Sequence, residues 1–455
     1  NDGGVYYSSN LSSAASSSTG VVARNNGLNI TQFYSVGVAP TNAVSGLTNE
    51  YFAAGAQDNG TQYFAGVAGG INGSTQSQGG DGAFTMMDQG SDKYYISNYV
   101  YNESINIRPL PGSTVTGRAL DNDSNVNAGA FIAPMVLDSN QDVLYSDYST
   151  GTTYQIRRYR NIKSGVVNRA NISNVLLTSA PTAFAVSPYT TASTTLLVGT
   201  RLGKLYRIPT ANTYVGNNTT AGTWVDITGS QFVGSISDIE YGASENEIFV
   251  TMHNYNVVSV WYTNNGGTSW VNKEGNLPDM PVKAILQNPK NAEEVILGTE
   301  LGVWYTNNFS ASSPTWRQSY NGMSNVKVTD LDLQVNTGYP TSYPAASYTV
   351  YAATYGRGLF SGLFTATTLS AEDNAIAKGI KIYPNPSNGV LNIAVANYTG
   401  DLNIEVYDIN GRKVLSNKAD FTSETTMNLT GFQSGVYIVK LQGDNLTHSE
   451  KIILN

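Results

Sequence analysis

The fold of this chain is decided by the stretch Leu297-Gly-Thr-Glu-Leu-Gly-Val-Trp-Tyr305. An apolar run ends in Gly-Thr, a tight turn follows, and an aromatic run leaves the turn, which is the pattern of a β-hairpin. Close copies occur at Leu197-Val-Gly-Thr-Arg-Leu-Gly-Lys-Leu-Tyr206 and Ala352-Ala-Thr-Tyr-Gly-Arg-Gly-Leu-Phe360, and looser ones at 53–64 and 248–262. The chain therefore repeats one β unit.

Each copy follows another apolar strand, and the units recur every ~45–50 residues, which is the spacing of a propeller blade. A four-stranded blade cannot bury both faces alone, so blades stack around an axis. Counting the preceding strands, and adding the unit at 80–109, predicts an all-β propeller of seven blades over residues 1–364. Eight blades are the alternative if residues upstream of Asn1 form one. We expect residues 3–26 to complete the last blade.

The composition agrees with an all-β protein and excludes several kinds of site. The 455 residues include 45 Gly and 30 Tyr, only 13 % are charged, and no long helical periodicity occurs. Without cysteine, there is no disulfide, Cys-ligated metal or thiol nucleophile. A net charge of −8 without a basic cluster argues against a nucleic-acid partner. No apolar run approaches the ~20 residues of a transmembrane helix.

One segment of the repeat region points to a propeller family. The run Thr263-Asn-Asn-Gly-Gly-Thr-Ser-Trp270 follows the pattern S/T-x-D-x-G-x-[ST]-W, with Asn265 where Asp is usual, and weaker copies end at Trp224 and Trp316. It resembles the Asp-box (BNR) propellers of sialidases, sortilin-like receptors and xyloglucanase-type glycosidases. The resemblance implies a folding element on an outer hairpin, remote from the active face. We expect these tryptophans to pack between blades.

The last part of the chain, residues 378–455, predicts a small Ig-like β-sandwich. Short runs alternate apolar and polar residues, and turn formers separate them. The characteristic motifs are YPNP-x-x-G, YD-x-x-G-R/K-x-V, G-x-Y-x-V and a lysine-plus-aliphatic tail. Their key residues are Tyr383, Pro384, Asn385, Pro386, Gly389, Tyr407, Asp408, Gly411, Gly435, Tyr437 and Lys451.

These motifs closely resemble the type A C-terminal sorting domain of cargo exported by the type IX secretion system of Bacteroidetes. The resemblance implies export across the outer membrane to a secreted or cell-surface location. It also implies recognition by the translocon and its shuttle protein, and removal of the domain by a sortase. Residues 365–377 are small and polar, so we interpret them as a linker between the propeller and this domain.

Little catalytic chemistry is evident. The two histidines, His253 and His448, lie in different predicted domains, so a Ser-His-Asp triad or a multi-histidine metal site is not expected. A glycoside hydrolase needs two carboxylates across a cleft, and Asp58, Asp81 and Asp238 are the candidates. Aspartates in Asp-Asn-Gly and Gly-Asp-Gly stretches are also ordinary turn residues, and we favour that interpretation for Asp58 and Asp81.

Two further polar runs need an interpretation. Oxygen ligands at i, i+2, i+4 and i+6 resemble half of a calcium loop, and a plain polar loop is the alternative. These residues are Asp121, Asp123, Asn125 and Asn127. Arg157, Arg158 and Arg160 alternate along one strand-like segment, so they do not converge like the three arginines of a sialidase. We expect them to be solvated.

The sequence therefore predicts a secreted or cell-surface β-propeller that binds or adheres to a surface glycan or protein and is delivered by type IX secretion. A role without catalysis is preferred, and an extracellular glycoside hydrolase that uses two Asp carboxylates is the alternative. No cofactor is expected apart from a structural calcium ion. The thirty tyrosines offer rigid amphipathic surface for such binding.

Overall fold

The structure is a computed structural model of the chain. It describes residues 5–10, 12, 21–24, 30–40, 42–47, 50–65, 73–122, 128–214, 217–218, 224–319, 323, 325–334, 348–364, 380–395, 398–408, 411–443 and 446–455. The chain divides into two compact units, Asn1–Ala366 and Thr367–Asn455. The predicted linker 365–377 lies outside the described residues.

Strands dominate both units. The first two, β1 (Tyr6–Tyr7) and β2 (Val22–Ala23), pair with each other as an antiparallel ribbon. Two short helical segments interrupt the strands that follow, α1 (Asn42–Ser45) and a 3-10 turn (Val100–Asn102). No helix in the part of the chain described above is long and apolar enough to cross a membrane.

Seven sheets follow in the first unit, and within each the successive strands pair antiparallel. Sheet 1 contains β3 (Phe33–Val38), β4 (Tyr51–Ala56), β5 (Gly60–Ala65) and β6 (Ser74–Gln78). Sheet 2 contains β7 (Gly82–Met87), β8 (Tyr94–Tyr99), β9 (Ile105–Pro109) and β10 (Arg118–Asp121). Sheet 3 contains β11 (Met135–Asp138), β12 (Val143–Asp147), β13 (Ile156–Arg160) and β14 (Asn168–Asn174).

The remaining four sheets repeat this order. Sheet 4 contains β15 (Pro181–Val186), β16 (Leu196–Thr200), β17 (Leu205–Ile208) and, after β18 (Asn217–Asn218), β19 (Val225–Asp226); β18 pairs parallel with β14. Sheet 5 contains β20 (Ile236–Tyr241), β21 (Ile248–Met252), β22 (Val260–Thr263) and β23 (Val271–Asn272). Sheet 6 contains β24 (Val282–Gln287), β25 (Val295–Thr299), β26 (Gly302–Thr306) and β27 (Arg317–Ser319). Sheet 7 contains β28 (Val328–Gln334), β29 (Tyr348–Thr354) and β30 (Leu359–Phe364).

The first strands of successive sheets lie beside each other. Strand β3 contacts β7, β7 contacts β11, and the series continues through β15, β20, β24 and β28. Strand β28 in turn contacts β3, so the last sheet lies against the first. Apolar clusters fill the spaces between neighbouring sheets, for example Val36 with Tyr351 and Tyr145 with Val198. Each sheet therefore buries both faces, as a stacked β unit must.

Five of the seven first strands, those of sheets 1, 4, 5, 6 and 7, have a bulge directly after their first residue. In sheets 4, 5 and 7 the bulged residue is Thr182, Ser237 or Thr329. Each hydroxyl donates a hydrogen bond to the backbone carbonyl of the first residue in the next sheet. The bonds run from Thr182 to Ile236 (2.7 Å), from Ser237 to Val282 (2.6 Å) and from Thr329 to Phe33 (2.8 Å). In sheets 1 and 6 the same position holds Tyr34 and Lys283.

Carboxylates make a second set of links between first strands. Asp238, Asp330 and Asp332 each accept the backbone N–H of the residue that follows them and an N–H of the next sheet. The bonds across sheets join Asp238 to Ile285 (2.8 Å), Asp330 to Val36 (3.0 Å) and Asp332 to Val38 (2.7 Å). A carboxylate accepts several hydrogen bonds at once, which suits this bridging role.

Two outer hairpins share one hydrogen-bond pattern around an Asn side chain. Asn265 Oδ1 accepts the hydroxyl of Thr263 at 2.8 Å and the N–H of Ser269 at 3.0 Å. The second hairpin repeats the pattern with Thr306, Asn308 and Thr315, at 2.7 and 2.9 Å. The pattern holds each hairpin closed without an Asp.

The tryptophans after these hairpins bond to the preceding sheet or the loop after it. Trp270 Nε1 donates to the carbonyl of Ile227 at 2.9 Å, and the fully buried Trp316 donates to that of Lys273 at 3.0 Å. The prediction that tryptophans pack between neighbouring repeats is confirmed for Trp270 and Trp316. Trp224 is also buried.

Sheet 7 differs from the prediction. Residues 3–26 were expected to add outer strands to it, but β1 and β2 pair with each other, and none of the described strands pairs with the outer edge of β30. The ribbon satisfies its own backbone groups locally through Tyr6 and Tyr7 with Val22 and Ala23.

The second unit is an Ig-like sandwich of two antiparallel sheets. One contains β31 (Ile380–Tyr383), β32 (Val390–Val395) and, later in the chain, β35 (Glu424–Asn428); the other contains β33 (Gly400–Asp408), β34 (Lys413–Phe421), β36 (Gly435–Gly443) and β37 (Leu446–Leu454). Alternate residues of the strands face inward. One continuous apolar core between the sheets includes Leu391, Ile404, Val439, Leu441 and Ile452, all fully buried.

Candidate functional site

Four aromatic side chains gather where the first strands begin. We call Tyr34, Tyr101, Phe131 and Tyr355 the aromatic cluster. The ring of Tyr34 lies 5.7 Å from that of Tyr355 and 6.4 Å from that of Phe131, and Tyr101 contacts Phe131 edge-on at 5.3 Å. Phe131 is 40 % exposed, so the cluster presents an apolar ring to solvent.

Local sequence explains how these rings are positioned. Tyr34 occupies the bulge of β3, which turns its side chain out of the pleat. Tyr101 has a left-handed backbone (φ 56°), and its N–H donates to the carbonyl of Phe131 at 3.1 Å. Tyr355 pairs with Gln32 at the start of sheet 1. The cluster thus joins sheets 1, 2 and 7 with the loop before sheet 3.

Gln57 fixes two of the tyrosines. Its Oε1 accepts the hydroxyl of Tyr34 at 3.0 Å and also the hydroxyl of Tyr355. Burial raises the pKa of Tyr34, and the hydrogen bond with Tyr355 and the carboxylates of Asp81 and Asp58 raise it further. The phenol of Tyr34 therefore stays neutral, and both tyrosines act as hydrogen-bonding groups with apolar faces.

A basic group adjoins the cluster on the side of sheets 5 to 7. Lys327 Nζ forms an ion pair with Glu300 at 2.9 Å and lies 6.0 Å from the ring centre of Tyr355. Burial, with the charge of Lys327, lowers the pKa of Lys283 to about 8, while Glu300 opposes the shift. Burial, with Lys283 and Lys327, lowers the pKa of His253 to about 3, so His253 is neutral. Its Nδ1 is buried and, within the described residues, has no hydrogen-bond partner.

The candidate catalytic residues fall into two places. Asp58 lies in the turn between β4 and β5 with a left-handed backbone (φ 55°), and its N–H donates to Asp81 Oδ1 at 2.8 Å. Both lie near Tyr34, so the structure brings them together beside the aromatic cluster. Asp238 lies on β20 of sheet 5, where it bonds to backbone N–H groups. Catalytic roles for the three stay predictions.

Sequence reasoning missed a row of carboxylates on the first strands. Asp238 and Glu240 alternate along β20, and Asp330 and Asp332 alternate along β28. Burial raises the pKa of Asp238 to about 6 and that of Asp332 to about 7. Burial and the neighbouring carboxylates also raise the pKa of Glu240 and Asp330. The residues in the described ranges form no His, Cys, Asp or Glu group that could hold a metal.

Only one of the four calcium candidates lies in the described part of the chain. The carboxylate of Asp121 accepts the hydroxyl of Tyr159 at 2.9 Å and pairs with Arg157 at 3.2 Å and Arg169 at 3.5 Å. The carboxylate and the two arginines line a cavity of about 560 Å³ together with Asn122 and Asn171. Asp123, Asn125 and Asn127 lie outside the described residues, and calcium binding stays a prediction.

The expectation of solvated arginines is wrong for Arg158, which is only 3 % exposed. Its Nη1 donates to the carbonyls of Ala211 and Tyr214, both at 2.8 Å, whereas its buried Nε has no hydrogen-bond partner among the described residues. Arg157 faces the other way, toward Asp121, as strand alternation predicts. A single sequence does not reveal that both faces of β13, the third strand of sheet 3, are buried against other residues.

The motifs of the second unit meet in space although they are far apart in sequence. The side chain of Asn385, within YPNP, donates to the carbonyl of Lys451 at 2.8 Å and accepts the N–H of Ile453 at 2.9 Å. Ser387 also donates its N–H to the carbonyl of Ile453, at 2.8 Å. The first motif therefore anchors the final strand.

The other motif residues hold turns. Asp408 accepts the N–H and Nε of Arg412, both at 3.0 Å, across the hairpin that contains Gly411 (φ 77°). The hydroxyl of Tyr437 donates to the carbonyl of Gln433 at 2.9 Å, and that of exposed Tyr383 to Glu424 Oε1 at 2.6 Å. Gly389 has a φ of 110°, which favours glycine. The motif therefore specifies the geometry of the turns.

Comparison with known proteins identifies this unit. No curated protein matches the chain. Residues 381–455 match the family described as secretion system C-terminal sorting domain. The match confirms the predicted sorting domain, which implies interaction with the type IX secretion machinery. The protein is thus a type IX secretion cargo with a secretion system C-terminal sorting domain at residues 381–455, and its location is secreted or at the cell surface.

Proposed function

We propose that the first unit is a seven-bladed, Asp-box-type β-propeller that binds a surface glycan after export. The propeller architecture is supported by seven successive sheets whose first strands lie side by side, with β28 against β3. Hydroxyl links recur between sheets 4 and 5, 5 and 6, and 7 and 1, and carboxylate links strengthen the last two of these interfaces, which supports stacked blades. The Asn-centred hairpins at Asn265 and Asn308 support the Asp-box assignment.

The observation that carries the binding function is the aromatic cluster. When a glycan binds a protein, a sugar ring packs against an aromatic face and the sugar hydroxyls form hydrogen bonds with polar groups of the protein. Binding sites of this kind combine apolar walls with a few polar groups. Exposed Phe131 and the faces of Tyr34 and Tyr355 supply the platform. Gln57, Asp58 and Asp81 supply hydrogen-bonding groups beside it. The shuttle protein and sortase are proposed as partners during export only.

A glycan array tests this function with the purified full chain and a Phe131→Ala variant. We expect the native chain to bind at least one glycan and the variant to lose about fivefold or more in affinity, because truncating a contact aromatic costs about 1 kcal/mol or more. Tyr6→Ala removes an aromatic side chain of similar exposure in the β1–β2 ribbon and should have no effect. Binding that is equal in all three chains would refute the cluster as the site.

A further inference from the structure

The bulge of sheet 6 breaks a rule that its neighbours keep. In sheets 4, 5 and 7 this position holds a hydroxyl that bonds to the next sheet, whereas sheet 6 holds Lys283. Among the described residues, Lys283 Nζ forms no hydrogen bond or ion pair. A residue that gives up a structural bond without local compensation is a candidate for function.

The surroundings of Lys283 favour an anion. Lys283 and Lys327 lie within electrostatic range of each other and share one carboxylate, that of Glu300. His253, on sheet 5, is uncharged and also faces the two lysines. The group therefore carries one positive charge that no protein carboxylate among the described residues neutralises.

The basic group continues directly into the aromatic cluster. Lys327 Nζ is 6.0 Å from the ring centre of Tyr355, and that ring is 5.7 Å from Tyr34. Tyr34 occupies another bulge without a hydroxyl link to the next sheet, and in sheet 1 the neighbouring Ser35 makes that link instead, to the carbonyl of Ala83 at 2.9 Å. These two bulge residues thus flank sheet 7 from either side, Lys283 from sheet 6 and Tyr34 from sheet 1.

We propose that Lys283 and Lys327 form an anion subsite that receives the carboxylate of an acidic glycan, while a sugar ring of that glycan lies on the aromatic cluster. This inference rests on the proposed function. An acidic peptide shares the carboxylate, but it offers no flat apolar sugar face for Tyr34, Tyr355 and Phe131. The acidic glycan therefore fits both halves of the site.

The test compares oligogalacturonate with its methyl ester and with a hexaglutamate peptide, by calorimetric titration of the full chain. The matched variant is Lys283→Thr, which restores the hydroxyl found in sheets 4 and 7 and should fold well. We expect it to weaken oligogalacturonate binding by about tenfold or more, since a charge-assisted hydrogen bond contributes about 1.5–3 kcal/mol. Lys381→Thr removes one positive charge from the sorting domain and should change nothing.

Three outcomes separate the alternatives. Equal binding of acid and ester, with loss in Phe131→Ala, overturns the anion subsite and leaves the glycan function standing. Binding of hexaglutamate in preference to oligogalacturonate, with the same dependence on Lys283, overturns the glycan class. If an array of galacturonate, glucuronate and sialic acid glycans beside their esters shows no preference for the acids, the subsite is refuted whichever neutral glycan binds.

A pH series gives a second readout. The pKa of Lys283 is about 8, so its charge falls between pH 7 and 9 while the glycan carboxylate stays ionised. Affinity of the native chain for oligogalacturonate should therefore fall over this range. The neighbouring groups are Lys327, Glu300 and His253, and His253 is already neutral. Lys283→Thr should show a flat profile, and a fall of equal size in this variant would contradict the assignment.

Discussion

The two units of this chain use the same strands and turns but are held together differently. The sorting domain encloses one continuous apolar core between two sheets. The first unit has separate small apolar clusters between neighbouring sheets, and polar side chains on the first strands join one sheet to the next. One core therefore stabilises the whole sorting domain, whereas separate local contacts between neighbouring sheets stabilise the first unit.

This difference indicates how each unit responds to a destabilising substitution. A single core transmits any loss to the whole domain, because all strands pack on the same side chains. A chain of separate links confines a loss to one interface, where local opening has its own free energy. The proposed binding residue Lys283 can then stand where sheets 4, 5 and 7 have a structural hydroxyl, because the other interfaces remain intact.

The largest expected effect is from Leu441→Ala in the sorting domain. Leu441 is fully buried on β36, and its truncation should cost about 2–5 kcal/mol of the unfolding free energy. All five tryptophans lie in the first unit, so their fluorescence midpoint should not change. Limited proteolysis should cut the second unit faster. Val436→Ala, at a 38 % exposed position of the same strand, is the control, and a shifted tryptophan midpoint would contradict separate cohesion.

The sequence predicts the sorting domain well because its motifs specify turns. Asn385, Asp408 and Gly411 act within a few residues or on the final strand, so their types and spacing carry the fold directly. The repeat of the first unit is also visible, since five copies of its strand–turn–strand element, three close and two looser, recur along the sequence. Local sequence patterns are therefore enough to predict a sorting domain and a repeating β unit.

The links between first strands could not be predicted from one sequence. Thr329 bonds to Phe33 across 296 positions, and the bond depends on a bulge whose register no local pattern reveals. The same holds for the carboxylates of Asp330 and Asp332, which resemble ordinary polar strand residues. Lys283 becomes conspicuous only when its position is compared with Thr182 and Ser237 in three dimensions.

The second prediction concerns the interface between the last sheet and the first. Thr329→Val removes the hydroxyl that bonds to Phe33 and keeps the side-chain shape, so it should cost about 1–2 kcal/mol. Hydrogen exchange of the β3 amides should rise, because this interface opens locally. Thr182→Val removes the corresponding bond between sheets 4 and 5 and should leave β3 exchange unchanged. Equal exchange of β3 in both variants would show that the links are not local.

The smallest expected effect comes from Glu240→Gln on β20. The pKa of Glu240 is raised above its ordinary value by burial and by Asp238 and Asp332. As pH rises, the Glu240 carboxyl therefore loses its proton at a lower pH in the unfolded chain than in the folded chain. The contribution of Glu240 to the free energy of unfolding is therefore fully present below about pH 4.5 and declines as pH rises above that value. Asp238 and Asp332, with pKa values of about 6 and 7, extend the decline toward neutrality.

Glu240→Gln removes one charge from this row, and no described hydrogen bond is lost with it. It should stabilise the first unit by on the order of 1 kcal/mol at pH 8, and make the decline between pH 5 and 8 shallower without abolishing it. Urea unfolding followed by tryptophan fluorescence at both pH values measures this, with Glu103→Gln as the control. An unchanged pH slope would mean that the first-strand carboxylates do not repel each other, and that polar links in this unit carry no electrostatic cost.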